Sequence, residues 1–256
     1  MSVTDVNQNL SNERYPWEPE ASDDHDAKDP QRMRTLAEQA AKDLEDASAE
    51  EVIRWAAETF GDRIAITSSM SDAVVVHLVS SVKPGIDVVF LDTGYHFPET
   101  IGTRDAVEAT LPVNLISITP VQSVAEQDAT YGKDLYKTDP DLCCALRKVQ
   151  PLKQSLAGYD AWATGLRRAE THNRVIAPVV GWDEKKQKVK VSPLARWSDE
   201  EVERYITDNG VLVNPLQYDG YPSIGCWPCT RRVAPGEDPR SGRWAGTNKT
   251  ECGIHQ

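Results

Sequence analysis

The sequence has no uninterrupted apolar run near the ~18–20 residues that a membrane span needs, and only 39% of its 256 residues are hydrophobic. This excludes an integral membrane protein built on such spans and predicts a soluble chain. The opening stretch, MSVTDVNQNLSNERYPWEPE, lacks the basic and apolar regions of a secretory signal and is too acidic for a transit peptide, so a cytoplasmic location is expected. Positive charge is scarce as well. Against 40 Asp and Glu there are 28 Lys and Arg, a net charge of −12, which argues against holding nucleic acid by the overall field. Cysteine is limited to five residues, an odd number, and a disulfide framework is not expected in that compartment. Internal repeats are lacking, as is any linker that would divide residues 31–256 into independent domains.

The charge that is present is unevenly placed. Residues 1–30 hold eight acids and two bases, with Pro16, Pro19 and Pro30 and few aliphatic residues, and read as a disordered acidic leader. From Asp219 onward four acids face five bases, a weakly positive stretch suited to an anionic ligand. Between these ends, short apolar runs at 64–67, 86–91, 113–118 and 161–164 alternate with helical patterns at 71–83, 98–110 and 141–157. Helices at 31–45 and 49–60 precede them. Ser48 and Glu51 form a capping box for the second, and Ser198 with Glu201 opens a last helix that Gly210 ends. Strand–helix alternation predicts an α/β fold: a doubly wound, mostly parallel sheet with helices on both faces. The expected organisation is a leader over 1–30, a main domain over 31–239 and a mobile C-terminal tail over 240–256, whose Gly242, Gly246 and Gly253 allow backbone excursions.

In an open parallel sheet ligands sit at the carboxyl ends of the strands. Ser68-Ser-Met-Ser-Asp72 follows the first strand and runs into a helix. Backbone N–H groups there could take a phosphate, or Ser69 or Ser71 could simply cap the helix. Leu91-Asp-Thr-Gly94 follows the second strand, and Gly165-Leu-Arg-Arg168 with Arg174 the fourth. Guanidinium forks suit phosphate or sulfate, and Arg240, Arg243 and Lys249 add cations just before Cys252. Nearby cations, His255 among them, would make Cys252 a better nucleophile at neutral pH.

The other cysteines form an adjacent pair, Cys143-Cys144, and a Cys226-Trp-Pro-Cys229 motif. Such thiols hold zinc or an iron–sulfur cluster, or stay unligated. Adjacent helical residues differ by ~100° in direction, which suits two irons of a [4Fe–4S] cluster better than one zinc ion. Arg147 and Lys148 either offset the charge of a cluster or sit at a solvated helix end.

Taken together, these residues resemble the assimilatory adenylyl-sulfate (APS) reductases within the phosphoadenylyl-sulfate (PAPS) reductase family. The resemblance spans about Ile64 to His255 and rests on Leu91-Asp-Thr-Gly94, Asp141-Leu-Cys-Cys144, Thr164-Gly-Leu-Arg-Arg168, Gly225-Cys-Trp-Pro-Cys-Thr230 and Lys249-Thr-Glu-Cys-Gly-Ile-His255, where family members usually carry Leu at the place of Ile254. It implies the adenine-nucleotide α-hydrolase fold. Ser68–Asp72 lacks the glycines of the pyrophosphate loop of ATP-splitting relatives, which fits one phosphate and one sulfate better than ATP. It also implies a [4Fe–4S] cluster on Cys143, Cys144, Cys226 and Cys229, a Cys252 nucleophile that forms an S-sulfocysteine with loss of AMP, and a thioredoxin-type dithiol partner that releases sulfite. Lys148, Arg240, Arg243 and His255 would neutralise charge, and Arg174 would hold the phosphosulfate. Leu91, Thr93 and Gly165 would contact adenosine, and Ser68, Ser69 and Asp72 the substrate. Competing expectations are a PAPS or dual-specificity reductase, a nucleobase-thiolating enzyme, and a zinc module without activity.

Overall fold

A computed structural model describes residues 29–247, 249 and 251–255. The leader expected over 1–30 lies outside the described residues except for Asp29 and Pro30, and these two already start a helix. The Asp29 side chain accepts the Gln31 N–H at 3.0 Å, and Pro30 occupies the first turn, where its missing N–H costs nothing. Helix α1 covers Pro30–Asp43 and α2 covers Ala49–Phe60. The Ser48–Glu51 capping box is formed, and so is that of Ser198 and Glu201.

Strands β1 (Ile64–Thr67), β2 (Ile86–Leu91), β3 (Val113–Ile118) and β4 (Ala161–Thr164) fall on the four expected runs. Two more follow, β5 (Val180–Asp183) and β6 (Lys188–Val191). The sheet order is β3-β2-β1-β4-β6-β5, parallel throughout except for the β5–β6 hairpin. Both faces are covered. Ile64, Ile66, Val88, Phe90, Ala161 and Ala163 join the main core with α1, α2 and α3 (Val74–Val82). Ala65, Val89 and Trp162 face the other way, onto Leu152 and Leu156. Alternate residues thus serve opposite cores, as a doubly wound sheet requires. Chain order reverses between β1 and β4, which opens a crevice at their carboxyl ends.

The helix expected over 141–157 is interrupted. It runs as Pro140–Cys144, a π-helical turn Ala145–Val149, and Gln150–Ser155. Pro151 has no N–H for the carbonyl four residues back and its ring would crowd it, so the chain widens there and the Gln150 N–H bonds Ala145 O, five residues behind. Arg147 and Lys148 consequently point inward, at 4% and 9% exposure. The solvated-helix-end expectation for these two residues fails.

Candidate active site

A cleft of about 1280 Å³ opens at the ends of β1, β2 and β4. Its wall contains Ser68, Ser69, Asp72, Leu91, Thr93, Gly165, Arg174, Arg240 and Arg243, together with Lys148, Cys252 and His255, so the structure gathers every residue expected to meet a substrate. Cys226 also lines it; the other three paired cysteines do not.

The loop after β1 does not follow the capping expectation. Helix α3 starts at Val74 with Ala73 as its cap residue, so neither Ser69 nor Ser71 caps it; Asp72 instead accepts the Val74 N–H at 3.0 Å. Asn214 and Gln217 clamp the loop from outside, donating to Met70 O at 3.2 Å and Ser71 O at 2.8 Å. Burial pushes the Asp72 carboxyl upward, opposed by the Val74 N–H and by Arg167. After β2, His96 Nε2 sits 2.7 Å from the carbonyl oxygen of Leu91, a residue expected to contact adenosine, and burial lowers the His96 imidazole below its ordinary range. Thr93 is turned toward the cysteines, with Oγ1 3.3 Å from Cys226 Sγ. The Arg147 guanidinium fixes this strand end: Nε donates to Thr93 O at 2.5 Å and Nη1 to Gln127 Oε1 at 3.1 Å. A side chain at Gly94, whose φ is +72°, would press on Arg147 and Val124 at 3.1 Å.

All five cysteines are free thiols. Cys143 and Cys226 share a small core with Tyr95, Leu135, Leu142 and Leu146. Burial, then repulsion from Cys144, Cys226 and Cys229, pushes the Cys143 thiol up to about 12, and burial with Cys226 takes Cys229 to about 11. Cys144 is also raised by burial, against the pull of Lys148 and Lys249. Lys249 was expected beside Cys252; its ammonium instead pairs with Asp141 and lies over the Trp244 ring. Lys148 is the hub of the site. Burial opposes its charge, but the sulfurs of Cys226, Cys252 and Cys144 outweigh that cost and keep its pKa above the ordinary lysine value.

The tail lies across the cleft mouth. Lys186, on the turn of the β5–β6 hairpin, donates to Ile254 O at 2.8 Å and to Asp183 at 2.9 Å. Ile254 packs on the Trp162 core, and the His255 ring stacks on Trp162 with 5.9 Å between centroids and 4° between planes. Glu251 binds Arg174 and Arg240, so the Arg174 donors expected for a ligand face carboxylates, Glu251 and Glu170. Arg168 is tied to Glu45 and Ala177 O, which removes its guanidinium from the candidate ligands. Arg243 is held by Ser223 Oγ and Ile224 O at 3.1 and 3.2 Å, against Gly225, where a Cβ would approach within 2.3 Å of it; its Nε is buried without a partner among the described residues. Of the three expected hinge glycines, Gly242 is instead a close-packing position: a Cβ there would fall 2.3 Å from Arg231 O.

His255 departs from the expected role of a cation. Burial, reinforced by Lys190, Arg174, Lys186 and Arg240, holds it well below the usual imidazole range, so it is neutral, and its Nδ1 has no partner among the described residues. It remains able to donate one hydrogen bond to a ligand. Glu251, His96, Lys186 and the β5–β6 hairpin were not anticipated as parts of the site. Strict alternation in Lys188-Val-Lys-Val191 was the available signal for the hairpin.

Among the described residues no helix is long and apolar enough to cross a membrane. Residues 63–232 match the family model for the phosphoadenosine phosphosulfate reductase domain. The chain is 67% identical to a Streptomyces coelicolor protein named adenosine 5'-phosphosulfate reductase, over 88% of this chain and 95% of that one. A Mycolicibacterium smegmatis protein of the same name is 57% identical over 87% and 94%. Among solved structures, a Candida auris PAPS reductase in a phosphate complex superposes with a TM-score of 0.66 and 31% identity, covering 78% of this chain and 97% of that one. A Candida glabrata FMN adenylyltransferase, at 12% identity, 87% and 85% coverage and a TM-score of 0.51, shares the fold alone. On the match to the family model and the extent of these identities, the chain belongs to the phosphoadenosine phosphosulfate reductase family.

Proposed function

We propose that this chain is an assimilatory enzyme that reduces adenosine 5'-phosphosulfate to sulfite and AMP. The observation that carries the mechanism is the buried Lys148, one cation facing both Cys252 and the paired cysteines from the wall of a nucleotide-sized cleft. The names of the 57–67% identical relatives favour adenosine 5'-phosphosulfate over the 3'-phosphorylated nucleotide.

In this mechanism the Cys252 thiolate attacks the sulfur of the substrate, the S–O bond to AMP breaks, and an S-sulfocysteine remains. The leaving group is a phosphate, so no strong general acid is needed. The barrier is electrostatic, because a thiolate must approach a sulfate. Lys148, Arg243 and Arg240 supply the positive charge, and the unpartnered Arg243 Nε and His255 Nδ1 provide unused hydrogen-bonding capacity. A dithiol of the thioredoxin type then attacks Cys252 Sγ, sulfite leaves with the bonding pair, and the second thiol resolves the mixed disulfide. The dithiol supplies both electrons.

The four paired cysteines fit an iron–sulfur cluster. Buried thiols that raise one another's pKa are poor company as bare thiolates and good company around iron. Cys143, Cys144, Cys226 and Cys229 would hold a [4Fe–4S] cluster, whose contribution is charge and local rigidity.

Protein purified without oxygen should contain iron and acid-labile sulfide and should release sulfite from adenosine 5'-phosphosulfate with a dithiol donor. Equal or faster turnover of the 3'-phosphorylated nucleotide, measured side by side, would replace the substrate assignment. Lys148→Met should retain iron yet slow AMP release by on the order of 10²-fold, the usual loss when one charge-stabilising donor is removed. An unchanged rate would return Lys148 to a structural role.

A further inference from the structure

Glu251 has no part in the chemistry above, yet it is among the most constrained groups of the cleft. It is 9% exposed, and two arginines share its carboxylate. Arg174 donates through Nε and Nη2 at 2.9 and 2.8 Å, and Arg240 through Nη2 at 3.2 Å. A fork on two oxygens is also how guanidinium holds phosphate or sulfate. Arg174 and Arg240 belong to the set whose donors the substrate anion needs, so Glu251 occupies them as an internal anion. It is also joined by one peptide bond to Cys252. The other tail contacts, Lys186 to Ile254 O and His255 on Trp162, lie after Cys252. Before it, Lys249 pairs with the exposed Asp141 outside the cleft, and Glu251 makes the charged attachment within it.

We propose that Glu251 is a positioning residue that holds Cys252 at the cleft through Arg174 and Arg240 and competes with an arriving oxyanion for the same two arginines. The inference rests on the reading of the cleft as an anionic-nucleotide site. Anion affinity and tail attachment are then opposed through one carboxylate: freeing the arginines tightens ligand binding and loosens Cys252.

The test compares the parent protein, Glu251→Gln and Glu251→Asp, each with its iron content verified. Alkylation of Cys252 by iodoacetamide is followed by peptide mass analysis, and AMP binding by calorimetry. Glu251→Gln should be alkylated at Cys252 on the order of fivefold faster and should bind AMP more tightly by a similar factor, while Glu251→Asp, which keeps the charge, stays near the parent in both. In the parent, inorganic sulfate at constant ionic strength should speed alkylation, and in Glu251→Gln it should not; the measurement on the parent needs no variant to fold, and no acceleration there would overturn the proposal by itself. Unchanged alkylation in Glu251→Gln, weaker AMP binding, or sulfate acceleration that survives the substitution would each overturn the proposal. Sulfate-dependent alkylation of the parent with no AMP binding at all would support the attachment while refuting the nucleotide reading.

Discussion

Cys252→Ser protein mixed with adenosine 5'-phosphosulfate should release AMP at least ~10³-fold more slowly than the parent, since removing a nucleophile costs rate on that scale or above. The parent, given substrate and no reductant, should release one equivalent of AMP and carry a sulfonate on Cys252, which a dithiol then discharges as sulfite. The physical basis is ionisation. Thiols as a class ionise far more readily than alcohols, and a serine hydroxyl provides almost no anion near neutral pH. The variant should still bind the nucleotide and keep its iron, because serine is nearly isosteric with cysteine and the rest of the cleft wall and the four paired cysteines are unchanged. Peptide mass analysis decides the matter. A sulfonate on Cys143, Cys144, Cys226 or Cys229, or AMP release by the serine variant at the parent rate, would show that another residue is the nucleophile.

The second large effect is expected from Cys226→Ser. Cys226 belongs to both halves of the site: its residue lines the cleft, and its sulfur meets Thr93 Oγ1 at 3.3 Å while packing with Cys143. Serine oxygen is a harder and poorer ligand for iron, so iron, sulfide and the absorbance expected near ~400 nm should be lost. Activity should fall by more than the ~10–100-fold that changes behind a metal's own ligands bring about. Full activity in an iron-free Cys226→Ser protein would remove the cluster from the account, and zinc in the colourless parent would favour the metal-module reading.

The sheet was legible because its four long-range strands are short apolar runs separated by helical periodicity, and their bounds follow from the change of period alone. The β5–β6 hairpin was not, since Val180-Gly-Trp-Asp183 mixes polar and apolar residues on an edge where one face is wet. The site residues were legible as types: cysteine spacing and arginines after strands are local patterns. Their pairings were not. Arg174 and Glu251 lie 77 positions apart, Arg168 and Glu45 lie 123 apart, and no periodicity says which carboxylate claims which guanidinium. The same limit hid the state of His255, which depends on burial first and then on Lys190, Arg174, Lys186 and Arg240 converging from different parts of the chain.

The widened turn at Ala145–Val149 acts as a phase shifter along one rod. Upstream, Leu142 and Cys143 are set to the cysteine core; downstream, Leu152 and Leu156 are set to the sheet. A uniform helix of 3.6 residues per turn would satisfy one of these faces and rotate the other by roughly 100° for each residue of mismatch. Chain length between Cys144 and Leu152 is therefore fixed as tightly as residue identity. Homologous chains that differ by one residue in this interval would have to give up either the inward lysine or the packing beneath Trp162.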